Sequence, residues 1–277
     1  MNTVMTITWL TFHEARRRRM VLIALVLGLA FVALFGVGFS MVHSELQRNE
    51  VPDVVQRTAY NFFLMAGLYV VHFLTVMIAI FSSVDTISGE IASHTIQAIA
   101  TKPVRRWHIV LGKWLGFAAM ITVYLGLLAG GLLLVVYAMV GYVPPNPMAG
   151  VLLLILEALV LVSVSLLVGT LVSTMSNGVT LFLLYGLAFI GSWVEQIGSM
   201  FQSDAAVRIG IITSLLMPVE ALWRRAAYLM QPAISRDLAM TPFATASVPS
   251  GAMDVYAVGY AAVALLAAMV VFSRRDL

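Results

Sequence analysis

One acid stands inside an otherwise apolar run: Glu157, in VLLLILEALVLVSVSLL, residues 151–167. A carboxyl group held in lipid can take up a proton, face a translocation pathway, or accept a hydrogen bond from a neighbouring helix. Its cost there makes it a functional candidate by default. Its place close to the outer end of its span also allows a structural role, reaching interfacial water or a neighbour's hydroxyl. His72 lies on another apolar run with Met65, Tyr69 and Met77. Imidazole and thioether suit soft metals, but these positions do not make a ligand spacing, and Met fills gaps in helix packing. The five histidines, 13, 43, 72, 94 and 108, scatter along the chain. No cluster of acids or histidines at one depth is expected, which argues against an autonomous intramembrane enzyme. An ion-coupled carrier, the other alternative, usually has broken helices and several intramembrane charges, and only Glu157 is well inside a run. With no cysteine, thiol nucleophiles, thiolate metal sites and disulfides are excluded.

The elements that position these residues follow from composition. Of 277 residues, 61% are hydrophobic and 10% charged, against roughly 45–50% and 25% for soluble domains. The mean hydropathy is +0.97. This is the composition of a multi-pass membrane protein. Six runs reach the length of about 20 apolar residues that a spanning helix needs: 20–42, 60–84, 110–140, 151–172, 178–200 and 255–272. The third is expected to begin late, with Lys113 snorkelling to the interface. No composition shift or internal repeat divides the chain.

Orientation is read from Lys and Arg. Ten of the sixteen fall on the side of the two termini: Arg16 to Arg19, Lys102, Arg105, Arg106, Lys113, Arg274 and Arg275. The rest, Arg48, Arg57, Arg208, Arg224, Arg225 and Arg236, lie opposite, among the acids Glu45, Glu50, Asp53, Glu195, Asp204, Glu220 and Asp237. Both termini are therefore expected in the cytoplasm. The basic cluster follows fifteen residues and precedes a 23-residue apolar run, unlike a signal peptide, so the first span stays in the mature chain. Val4, Ile7, Trp9, Leu10 and Phe12 predict an amphipathic interfacial helix within 1–19, and Arg16 to Arg19 anchor the first span and meet anionic lipid.

Between spans two and three lies SGEIASHTIQAIATKPVRRWHIVLGKWLG, residues 88–116. Ser88 or Gly89 can cap a helix whose first turn carries Glu90, and Pro103 stops it. Ala92, Thr95, Ile96 and Ile99 share one face, with Glu90, His94 and Gln97 on the other. A short amphipathic helix at the cytoplasmic face is a handle for a soluble partner. Gly112–Gly116 and Gly126–Gly130 are small-xxx-small pairs suited to close helix packing. Gly112-Lys113 does not complete a Walker A, because Trp107 and Trp114 stand where Gly and Ser or Thr are needed.

The order of Glu90, Thr95, Ile99, Pro103, Arg105, Arg106, Gly112 and Lys113 resembles the permease subunits of ABC-2 type ABC transporters, with His94 where the family usually has Gly. TFHEARRRR near the start and RRDL at the end resemble the family's entry helix and ending. The resemblance implies a subunit of the bacterial cytoplasmic (inner) membrane, working as two copies with two cytoplasmic ABC ATPase subunits. ATP and Mg would be bound by those partners; no cofactor, metal or nucleic acid is expected on this chain, and no catalysis. The contact with the ATPase would fall on Glu90, His94, Thr95, Ile96, Ile99, Pro103, Arg105 and Arg106. The implied fold is all-α and polytopic over 1–277: six transmembrane helices, the interfacial helix of 1–19, a cytoplasmic coupling helix in 85–109, and an outer amphipathic helix in 201–254, between spans five and six.

In that outer segment, SLLMPVEALWRRAAYLMQP (214–232) carries its own helix signals. Pro218 suits a first turn and Pro232 a stop, and Leu222, Ala226 and Leu229 make an apolar row. The stretch resembles permeases of multicopper-enzyme maturation, as in nitrous-oxide reductase, which implies a periplasmic protein partner in copper-site assembly. Glu220, Trp223, Arg224 and Arg225 are then expected at the outer face, the arginines toward headgroups or an acidic partner. The same segment has two other readings: a membrane-lying cover, or a re-entry into the bilayer beside span five. ATP-driven export and mechanical transmission to the outer partner stay equally open.

Overall fold

The computed structural model describes residues 3–17, 19–92, 105–237 and 247–275. His94, Thr95, Ile96, Ile99 and Pro103 lie outside them. The described chain is helical: α1 (Thr3–Arg17), α2 (Arg19–Arg48), α3 (Asp53–Ser83), α4 (Ser88–Ala92), α5 (Arg106–Val140), α6 (Pro147–Gly169), α7 (Thr174–Met200), α8 (Asp204–Leu216), α9 (Val219–Met230), α10 (Ala233–Asp237) and α11 (Gly251–Arg274). Six are long and apolar enough to cross a membrane: α2, α3 with its continuation to Glu90, α5, α6, α7 and α11. These are the six expected runs, each beginning earlier than expected, and α6 ends at Gly169 rather than at 172.

Local chemistry sets the ends. Gly141 closes α5 in the left-handed conformation, φ 67°, where a residue without Cβ is at no disadvantage. Pro147 opens α6 in its first turn, where the missing N–H is no loss. The third span does not begin late. Its helix starts at Arg106, and Lys113 is 5% exposed rather than snorkelling.

α3, α5 and α6 form the centre, with α11 and α9 against α6 and α7 alongside. Leu64, Leu68, Val71, Leu125, Leu128, Leu132, Leu154, Ala158 and Leu161 are among its fully buried side chains. α2 lies outermost, with 11% of its apolar window buried, as befits a helix that is apolar all round. It is held by an aromatic file, Phe31, Phe35, Phe39 and Tyr60, with neighbouring centroids 5.4–6.4 Å apart.

The N-terminal helix is not only interfacial. It packs along α5 at the small-residue pair: a Cβ on Gly112 would stand 2.7 Å from Ile7, and one on Gly116 2.7 Å from Thr11. Ala15 and Thr11 are buried there, while Met5, Trp9 and Leu10 face outward. Trp9 is thus on the opposite face from Ile7, and Leu10 lies beside the contact but outside it. A Cβ on Gly126 or Gly130 would meet nothing within 4 Å among the described residues, so the second pair leaves an open face on α5.

Candidate functional site

α8 and α9 are the two arms of one broken apolar helix, bent by 106° at Met217-Pro218. Such a bend is that of a broken span or of a re-entrant loop, and α8 packs closely along α7. Gly191, Gly198 and Gly210 let them touch, because a Cβ at each would collide with Thr213, Ala206 and Glu195 respectively. Where a helix breaks inside lipid, its free backbone groups need partners. Tyr256 and Tyr260 of α11 donate their hydroxyls to the Leu215 and Leu216 carbonyls, at 2.6 and 2.8 Å. Pro218 has no N–H to satisfy. At the other end of α9, Asn61 of α3 donates to the Met230 carbonyl at 3.0 Å and to the Tyr142 hydroxyl at 2.9 Å. Tyr142 lies in the loop between α5 and α6, where burial pushes its phenol above the usual range.

The break carries Glu220 into the centre of the bundle, where three titratable side chains meet. His72 Nδ1 lies 2.7 Å from Glu157 Oε1, and His72 Nε2 lies 3.3 Å from Glu220 Oε1. The imidazole and the Glu157 side chain are 0% exposed, and that of Glu220 4%. Glu157 is ten residues after Pro147 and twelve before Gly169, so about 15 Å and 18 Å from the ends of α6 at 1.5 Å per residue. It stands near mid-membrane. Trp223 and Tyr69 stack on the His72 ring, at centroid distances of 5.1 and 5.7 Å. Tyr185 of α7 also lies against Glu220.

This arrangement corrects three expectations. Acids and a histidine do cluster at one depth. His72 is a polar link between α3, α6 and α9 rather than packing beside methionines. Glu157 is central, and its partner is a histidine rather than interfacial water or a hydroxyl. The sequence did hold a signal for Glu220: an acid just after a proline that interrupts an apolar stretch. Among the described residues, no group of three or more His, Asp or Glu side chains could hold a metal ion.

Both arginines of α9 are paired within the chain. Arg224 Nη2 is 2.7 Å from Glu195 Oε2, and both side chains are buried. Ser247 donates to Glu195 Oε1 at 2.6 Å. Arg225 Nε meets Asp254 Oδ2 at 2.7 Å, and its Nη1 donates to the Pro249 carbonyl. Trp223 is 4% exposed. Glu195, counted in sequence as an outer-side acid, is instead the internal counterion of Arg224.

At the side of the bundle that holds residues 19 and 274, a second network ties the ends of the spans. Lys113 Nζ lies 2.5 Å from Glu90 Oε1. Ser88 does not cap the helix of Glu90. It sits within α4, and its hydroxyl reaches the Val84 carbonyl and the Thr174 hydroxyl. Asn177 donates to the Val84 and Ser165 carbonyls. Arg106 donates to the Arg275 carbonyl, and Arg275 to that of Thr170. Arg105, next to it, is exposed. Glu90 and Arg106 thus make contacts inside the chain that fix both flanks of the segment 93–104.

Comparison with curated proteins gives no match. The model of the ABC-2 family transporter proteins matches residues 5–277, which takes in the six spans, the broken helix and both polar networks. The chain therefore belongs to the ABC-2 family of transporter proteins, as a non-catalytic, multi-pass membrane permease.

Proposed function

We propose that this chain is the membrane subunit of an ATP-driven ABC transporter, docking a cytoplasmic ATPase through residues 85–109 and passing its motion to the opposite side of the membrane. One observation carries the reading. Both flanks of that segment are bonded into the spans, Glu90 to Lys113 of α5 and Arg106 to the C-terminal end of α11. A push on the segment would move α3, α5 and α11 together instead of bending a loose loop. Two copies would assemble with two ATPase subunits, which supply ATP and Mg. The open face of α5, with Gly126 and Gly130 between exposed Val123, Leu127 and Leu134, suits helix contact with a second copy.

The excess of Lys and Arg at the terminal side supports an orientation with both termini in the cytoplasm of a bacterial cell, in the inner membrane. The segment 201–254 then opens to the outside. A periplasmic partner, as the likeness to multicopper-enzyme maturation permeases suggests, would meet exposed parts such as α8 and the loop before it, since Glu220, Trp223 and Arg224 are turned inward. Copper chemistry in such an assembly would belong to that partner.

The test is co-purification. Ile96→Asp places a charge on the apolar face that the sequence predicts for the segment, and is expected to abolish recovery of the ATPase and coupled ATP hydrolysis while membrane insertion is kept. Undiminished recovery and coupling contradict the reading.

A further inference from the structure

We propose that the His72–Glu157–Glu220 triad is a proton-binding site, with an exchangeable proton on Glu157 Oε2 at neutral pH. The inference does not rest on the ATPase reading. It follows from charge and hydrogen-bond accounting at mid-membrane. Both imidazole nitrogens point at carboxylate oxygens, so two protons occupy the two contacts. Whether they are drawn as an imidazolium between two carboxylates or a neutral imidazole beside one acid, the triad carries one negative charge.

Among the described residues, nothing packed around it cancels that charge. α3 adds Tyr69, and α7 adds Tyr185, both uncharged phenols. α9 adds Arg224, but its charge is matched by Glu195 of α7 at 2.7 Å. α6 adds only Glu157 itself. An uncompensated charge in such a place is strongly unfavourable, and groups neutralise by taking up a proton instead.

The site for that third proton is marked. Glu157 Oε2 is buried and has no hydrogen-bond partner. An ionised oxygen left so would bear its full desolvation penalty, whereas the hydroxyl of a neutral acid carries no net charge. With it protonated, the triad reads as a carboxylic acid, an imidazolium and a carboxylate, and sums to zero. The proton comes from solvent, forms one O–H bond on Oε2, and returns to solvent when the pH rises. The neutral triad holds α9 against α3 and α6. Loss of the proton leaves a net negative charge among the three elements.

Infrared spectroscopy of the full chain in lipid nanodiscs reads this directly. At neutral pH the wild type is expected to show the carbonyl stretch of a protonated carboxylic acid, shifted down in D2O and lost on alkaline titration. Glu157→Gln is expected to lack the band. If Glu157→Gln does not fold, the wild-type band, its D2O shift and its alkaline loss decide. No such band in the wild type, a band that survives in Glu157→Gln, or one that disappears only when sodium is added at constant pH would overturn the proposal.

Discussion

His72 joins three elements through two nitrogens, and each of its partners is buried by the others. Removing one member of such a set leaves the remainder uncompensated, at a cost of about 3–5 kcal/mol for a broken buried pair. His72→Ala places Glu157 and Glu220 side by side without the intervening imidazole. It is expected to lower stability by about that amount, seen as a fall in the thermal unfolding midpoint of the purified chain in detergent. A midpoint equal to wild type would show the triad to be dispensable. Arg224→Ala should destabilise similarly, because Glu195 is left buried without its counterion. The same change at Arg225, whose ion pair is partly exposed, should fall nearer the few tenths to 1 kcal/mol of surface pairs. Of these residues, sequence made Glu157 conspicuous, since an acid in an apolar run has no local explanation. It left His72 and Glu220 apart, because 148 residues separate them and no periodicity reports that a polar-looking segment folds back into the bundle.

Six apolar runs became six helices with little adjustment, because about 20 apolar residues in lipid have no stable alternative to a helix. The elements that departed from expectation are those whose environment is set by other helices. α1 has the composition of an interfacial helix, yet one face of it packs on Gly112 and Gly116 of α5, with Thr11 and Ala15 buried. Gly116→Leu is expected to detach it. A cysteine replacing Ala15, which is 1% exposed, should then react with maleimide in detergent much faster than in the parent, and an unchanged rate would mean the contact does not hold α1. The α8–α9 break similarly depends on α11. Tyr256→Phe with Tyr260→Phe removes both hydroxyls from the free carbonyls of α8. Both bonds lie at the exposed surface of the bundle, where lipid offers a freed carbonyl no other partner, so the double variant should melt at lower temperature, with a larger loss than either single change.

At the scale of the whole molecule, two polar networks lie at different depths of one helical bundle. The terminal-side network binds the flanks of 93–104 to α5 and to the end of α11. The triad at the centre of the bundle binds α3 and α6 to α9, the second arm of the bent pair. α3 belongs to both, running without a break from His72 to the turn before α4. The account stands on the segment 85–109 being the face that meets the ATPase. The chain has no cysteine of its own, so a single cysteine at Gln97 can be crosslinked in membranes that contain the co-expressed ATPase, with one at Ser203 as the opposite-side control. The prediction is a crosslinked product between the chain and the ATPase from position 97 and none from position 203. A product from 203, or none from 97 in membranes where the ATPase is bound, would contradict it.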